Sequence, residues 1–134
     1  MGAADFHLQM FLRLLVATVL GGLVGYERER TGKPAGVRTH GMVCLGAALF
    51  TVVSIHGFGA GDPARLAAQV VTGIGFLGAG AILHQRHSIH GLTTAASLWV
   101  TAAVGIAMGV GMIAMSLVTA LLIFLLLRFG PRPG

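Results

Sequence analysis

Few residues in this chain could do chemistry, and they lie in four places. The first is Glu27-Arg28-Glu29-Arg30, followed eight residues later by Arg38-Thr39-His40. If Glu27 or Arg28 turns inward to meet Arg38, Thr39 and His40, the two groups form a polar cluster. If not, they are a solvated charged collar. The second is Asp62, just before Pro63 and close to Arg65 and Gln69. It can cap a helix and pair with Arg65, or it can serve as an outward-facing cation site. Mg2+ binds through one or two carboxylates and keeps several waters, so one such acid per subunit would suffice. The third is His84, His87 and His90, spaced by three. On a helix two of them share a face and could hold a transition metal, although no acid or cysteine accompanies them. The fourth is Thr93, Thr94, Ser97 and Thr101. Hydroxyls of this kind in a membrane helix mostly bond back to their own helix or to a neighbour.

Other chemistry is excluded by context. GIGFLG at 73–78 spells G-x-G-x-x-G. A dinucleotide site needs a strand before that motif, a helix opening from it and an acid about 20 residues on. Here the glycines lie inside one uncharged segment, so no nucleotide is expected. No nucleophile stands in sequence with a base, and an enzyme is not expected. Cys44, the single cysteine, lies in an apolar run and reads as a small packing residue.

The elements that must position these residues are membrane helices. Of 134 residues, 55% are hydrophobic and 10% charged, with a mean hydropathy of +0.86. A soluble domain carries about 25% charged residues. The net charge of +5 sits between apolar segments, which is loop charge of a membrane protein and not a nucleic-acid surface. The first segment has Asp5 as its only early charge and ends in Glu27–Arg30, so it reads as a retained span and not a cleaved signal.

A span needs about 20 residues. Five are expected, at about 6–26 with Asp5 as cap, 39–56, 63–83 with Asp62 as cap, 92–109 and 112–128. A four-span arrangement with one bent helix is the alternative for the last two, which are joined only by Gly109-Val110-Gly111. With the N-terminus outside, seven of the nine basic residues fall inside, leaving Arg13 and Arg65 outside. That satisfies the positive-inside rule, and Arg13 would snorkel to the interface. The fold class is therefore an all-α, polytopic transmembrane bundle, one domain over 1–134.

Small residues mark packing faces. Gly21 and Gly25, and Gly105 and Gly109, form two G-x-x-x-G pairs. Gly73, Gly75, Gly78 and Gly80 crowd the third span, where Ala68, Thr72, Gly75 and Ala79 form a small stripe. Such stripes let helix backbones approach in lipid, within one chain or between copies.

Four blocks taken together, GYERERTGKPAGVRTH, MVCLGAALFTVVS, GDPARLAAQVVTGIGFLGAGAIL and GLTTAASLWVTAAVGIAMG, resemble the N-terminal membrane domain of the MgtC/SapB/YhiD family. The resemblance implies a bacterial inner-membrane protein of about five spans. It also implies an association with magnesium homeostasis and action by contact with other membrane proteins, such as transporters or the ATP synthase. The family pattern falls here on Glu27, Arg28, Arg38, Thr39, Asp62, Pro63, Arg65, Gln69, Gly73, Gly75, Gly78, Gly80, Gly91, Leu92, Thr94, Ala95 and Trp99. Many members carry a soluble C-terminal domain, which the resemblance does not reach here. The histidine triplet is not part of the pattern. No cofactor is expected apart from Mg2+ at an outer site. An accessory or regulatory role is favoured over a cation transporter or channel, because no acid lies at mid-membrane depth.

Overall fold

The computed structural model describes residues 2–59, 61–83 and 91–131. They form five helices, α1 (Ala3–Arg30), α2 (Val37–His56), α3 (Ala64–Leu83), α4 (Gly91–Val110) and α5 (Ile113–Phe129). The first four are long and apolar enough to cross a membrane, and α5 is a shorter apolar helix of 17 residues. Two separate helices thus replace the single bent one of the four-span alternative. The break is at Gly111, whose φ of 101° lies in the left-handed region that only glycine adopts without strain.

The ends differ in detail from the sequence expectation. Asp5 does not cap α1. The cap is Gly2, and Asp5 lies in the first turn, where an acid complements the helix dipole. Asp62 does cap, since its Oδ1 accepts the Ala64 N–H at 3.0 Å, and its carbonyl accepts the Arg65 N–H. It does not pair with Arg65: among the described residues the one ion pair is Arg30–Glu27.

α2 is the axis of the bundle, held between α1 and α4 by the two G-x-x-x-G pairs. A Cβ on Gly21 would strike the His40 carbonyl oxygen and lie 2.6 Å from the Cys44 Cβ. One on Gly25 would strike the backbone at Gly36. On the other side, one on Gly105 would strike the Cys44 carbonyl oxygen, and one on Gly109 would lie 2.7 Å from the Ala48 carbonyl oxygen. Cys44 is fully buried where the three helices cross. The same contacts fix direction. Residue numbers on α1 fall as those on α2 rise, whereas α2 and α4 run parallel. α5 folds back on α4, and Ser116 Oγ, fully buried, donates to the Val104 carbonyl at 2.9 Å.

α3 packs against α4 and α2 and is the least buried of the four long helices. Gly78 meets Ala95, and at its end Ala81 and Ile82 meet Gly91. Gly73, Gly75 and Gly80 would meet nothing within 4 Å, and Ala68, Thr72, Gly75 and Ala79 are all exposed. The stripe expected to lie against another helix therefore faces outward from the protomer, except at Gly78. Large apolar side chains such as Phe76, 80% exposed, Phe11, Leu15 and Trp99 also point outward, while His40, Thr94 and Thr101 are buried. This is the polarity of a chain whose solvent is a bilayer.

Because the neighbours of Gly21 and Gly105 are backbone atoms, neither can move aside cheaply. Gly21→Ala and Gly105→Ala should each lower stability by about 1–3 kcal/mol, the range for overpacking a tight contact. Thermal unfolding in detergent measures this, with Gly75→Ala as the control expected to unfold within a degree or two of the parent.

Candidate functional site: a buried polar cluster where three helices meet

The end of α1 and the starts of α2 and α4 come together at one end of the bundle, and each sends polar side chains inward. Glu27 and Arg28 are 1% and 6% exposed. Being consecutive, they leave α1 in different directions. Glu27 turns back along its helix, where Arg30 grips it with two hydrogen bonds, Nη2 to Oε1 at 2.9 Å and Nε to Oε2 at 3.2 Å. This fork geometry is the strong form of a carboxylate pair. Arg28 crosses to α4, and its Nη2 donates to Thr94 Oγ1 at 2.6 Å.

α2 contributes His40, which is 0% exposed. Its Nδ1 is 3.1 Å from the Gly36 carbonyl and its Nε2 is 2.8 Å from Ser97 Oγ. A carbonyl can only accept, so Nδ1 carries a hydrogen. In the neutral ring Nε2 is then an acceptor, and it competes with the Thr94 carbonyl, 2.8 Å from Ser97 Oγ, for the one hydrogen of the Ser97 hydroxyl. Thr101 Oγ1 donates to the Ser97 carbonyl at 2.6 Å. Thr94, Ser97 and Thr101 thus occupy one face of α4, as a three-to-four-residue spacing requires. α1 is tied to α4 through Arg28 and Thr94, and α2 is tied to α4 through His40 and Ser97.

The inward turn of Glu27 and Arg28 is thus one of the two arrangements the sequence allowed, and His40 joins them. Arg38 is exposed and Thr39 is half-buried, and neither enters the hydrogen bonds of the cluster. Ser97 was placed among the hydroxyls of the fourth span without being matched to His40. The signal was available in the shared face of 94, 97 and 101, but the sequence does not say that α2 is the helix opposite. The Ser97–His40 contact has the distance of a nucleophile and its base. Ser97 is only 5% exposed and His40 not at all, so the pair is closed off from solvent in this conformation.

Elsewhere the candidate residues stay apart. Asp62, Arg65 and Gln69 lie exposed at the opposite end of the bundle. Among the described residues no three of His, Cys, Asp and Glu gather as a metal site. His84 and His87, with His90, lie outside the described residues. Arg13 donates through Nη1 to the Gly109 carbonyl at 3.2 Å, at the end of α4. Gln69 lines an open apolar groove of about 480 Å3 between α2 and α3, with Met42, Gly46, Phe50, Gly73 and Leu77.

The MgtC family profile matches residues 14–132. The chain belongs to the MgtC family. It is 45% identical over 128 residues to the Escherichia coli K12 protein named "Putative magnesium transporter YhiD", covering 90% of this chain and 60% of that one. It is 48% identical over 107 residues to "Protein MgtC" of Brucella abortus strain 2308, covering 80% and 45%. With an uncharacterized Haemophilus influenzae protein it shares 42% over 135 residues, covering 93% and 57%. The chain therefore spans about half the length of the curated relatives it matches. No solved structure matches it. This MgtC-family chain is a multi-pass helical bundle with polar side chains turned inward at one end.

Removing the acceptor of a buried guanidinium is costly. Thr94→Val should lower stability by about 1.5–3 kcal/mol, the range for a hydrogen bond to a charged group. Thr94→Ser should restore most of it. Thermal unfolding of the two variants in detergent checks this.

Proposed function

We propose that this chain is the membrane domain of an accessory or regulatory protein of the bacterial inner membrane, linked to magnesium homeostasis. It works by helix contacts with copies of itself and with other membrane proteins, and it is not an enzyme. One observation supports this best. α3 carries Gly73, Gly75 and Gly80, where an added Cβ would meet no other described residue within 4 Å, beside an apolar groove whose single polar lining residue is Gln69. Small residues in lipid bring backbones together, and here the backbone they would approach lies outside the protomer. The basic residues favour the N-terminus outside and the C-terminus in the cytoplasm, so the Glu27–Arg28–His40 cluster lies at the cytoplasmic end.

The name of the Escherichia coli relative supports a second reading, a Mg2+ transporter or channel with an outer site at Asp62. Asp62 is exposed, and only one of its oxygens is engaged in capping α3. A hydrated Mg2+ needs no more than one or two carboxylates.

Two measurements separate the readings. Purified protein in sealed liposomes should pass no Mg2+ above the empty-vesicle leak. Flux that Asp62→Asn abolishes would establish the transporter reading instead. Gly75→Leu should reduce the oligomer mass in detergent while leaving thermal unfolding of the protomer unchanged. An unaltered mass would remove α3 as the contact surface.

A further inference from the structure

The bundle has a step at the end opposite the polar cluster. α1 and α4 run antiparallel, and two polar contacts set their register: Arg28 meets Thr94 and Arg13 meets Gly109. The contacts are fifteen residues apart on both helices. α4 ends one residue after Gly109, whereas α1 continues for ten residues beyond Arg13, to Ala3. At 1.5 Å per residue that overhang is about 15 Å. α2 overhangs as well. Thr51 lies against Gly109, and α2 runs on to His56, whose ring meets Phe6 of α1 edge-on at 4.9 Å. The α4–α5 turn is therefore recessed below the ends of α1 and α2.

Arg13 lies over the floor of this recess. Its Nη1 donates to the Gly109 carbonyl and contacts the Met10 sulfur at 3.8 Å. Its Nη2 is 2.9 Å from where a Gly111 side chain would begin. Among the described residues no carboxylate forms an ion pair with it. One helix-end carbonyl and the Met10 sulfur engage Nη1 of a half-buried guanidinium with five N–H donors, and among the described residues no carboxylate offsets its charge. Next to the guanidinium is an open cleft of about 360 Å3, lined by Gln9, Leu12, Val16, Met108 and Ile113. Gln9 stands one turn above Arg13 on the same face of α1 and adds an amide donor.

We propose that this recess binds a phospholipid, with the phosphate drawn down onto Arg13 and Gln9 and an acyl chain lying along Leu12, Val16 and Ile113. The occupant follows from the chemistry of the walls. A guanidinium fork matches a phosphate in charge and geometry. Its place at the end of the α4 span, beside an open cleft with apolar walls, selects an anion that brings its own hydrocarbon. A phosphate there offsets the charge of Arg13 and leaves its bond to α4 intact.

The test uses purified protein in mild detergent, titrated with phosphatidylglycerol, with diacylglycerol of the same chains, and with inorganic phosphate. Native mass spectrometry reads retention and thermal unfolding reads stabilisation. Phosphatidylglycerol should be retained and should raise the unfolding midpoint, and the other two should do neither. Arg13→Gln and Leu12→Trp should each weaken retention about tenfold, the second by filling the cleft while Arg13 keeps its hold on Gly109. Should Arg13→Gln fail to fold, Leu12→Trp decides alone. Undiminished retention in Leu12→Trp overturns the proposal. So does equal stabilisation by diacylglycerol, which would leave no role for the phosphate, or by inorganic phosphate, which would leave none for the chains.

Discussion

The architecture depends on how closely α2 approaches two other helices at once. In a bilayer the lipid tails are as apolar as the side chains, so helices gain little from burying hydrocarbon and must gain from contact distance and polar bonds. Gly21 and Gly25 let α1 lie against the backbone of α2 around His40 and Gly36. Gly105 and Gly109 let α4 lie against its other side, around Cys44 and Ala48. Cys44 touches both contacts, one through its side chain and one through its carbonyl. A bulky residue at any of these four glycines would separate the helices along their length.

The polar cluster is a consequence of that spacing. Arg28 can reach Thr94 at 2.6 Å, and His40 can reach Ser97 at 2.8 Å, only because α1, α2 and α4 are already close. The bonds in turn fix rotation and register, which glycine contacts alone leave loose. Each buried donor has a costly alternative in a low-dielectric interior, so the cluster favours one arrangement of three helices over sliding ones. Arg13 performs the corresponding task at the other end, fifteen residues away on the same helix. It satisfies a carbonyl that the end of α4 leaves without an intrahelical partner.

α3 stands apart from this scheme. It has the largest share of glycine among the long helices and the fewest internal contacts for those glycines. Its packing face is turned to the outside, while its inner contacts run through Ile74, Gly78 and the Ala81–Gly91 meeting. A three-helix core with one lightly held helix beside it leaves a surface whose chemistry suits another helix.

The sequence by itself determined the class of the molecule. Charge scarcity demands a bilayer, and the apolar run lengths demand about five helices, while the choice between a turn and a bend at Gly109–Gly111 waited for the backbone at Gly111. It also narrowed the inward-facing polar residues to a short set that included Glu27, Arg28, His40 and Thr94. Tertiary structure decided which of those meet. Arg38 and Thr39 are adjacent to His40 in the chain but leave α2 at other angles, so they stay out of the cluster. Ser97 enters because α4 and α2 run parallel at that end. The register of α1 against α4 places the Gly109 carbonyl in reach of Arg13. The glycines of α3 read from sequence as a packing surface, but spacing cannot say whether the partner helix lies within the protomer. Periodicity fixes the face a residue occupies on its own helix. Only the rotation and register of the helices, set by contacts distant in sequence, fix what that face meets.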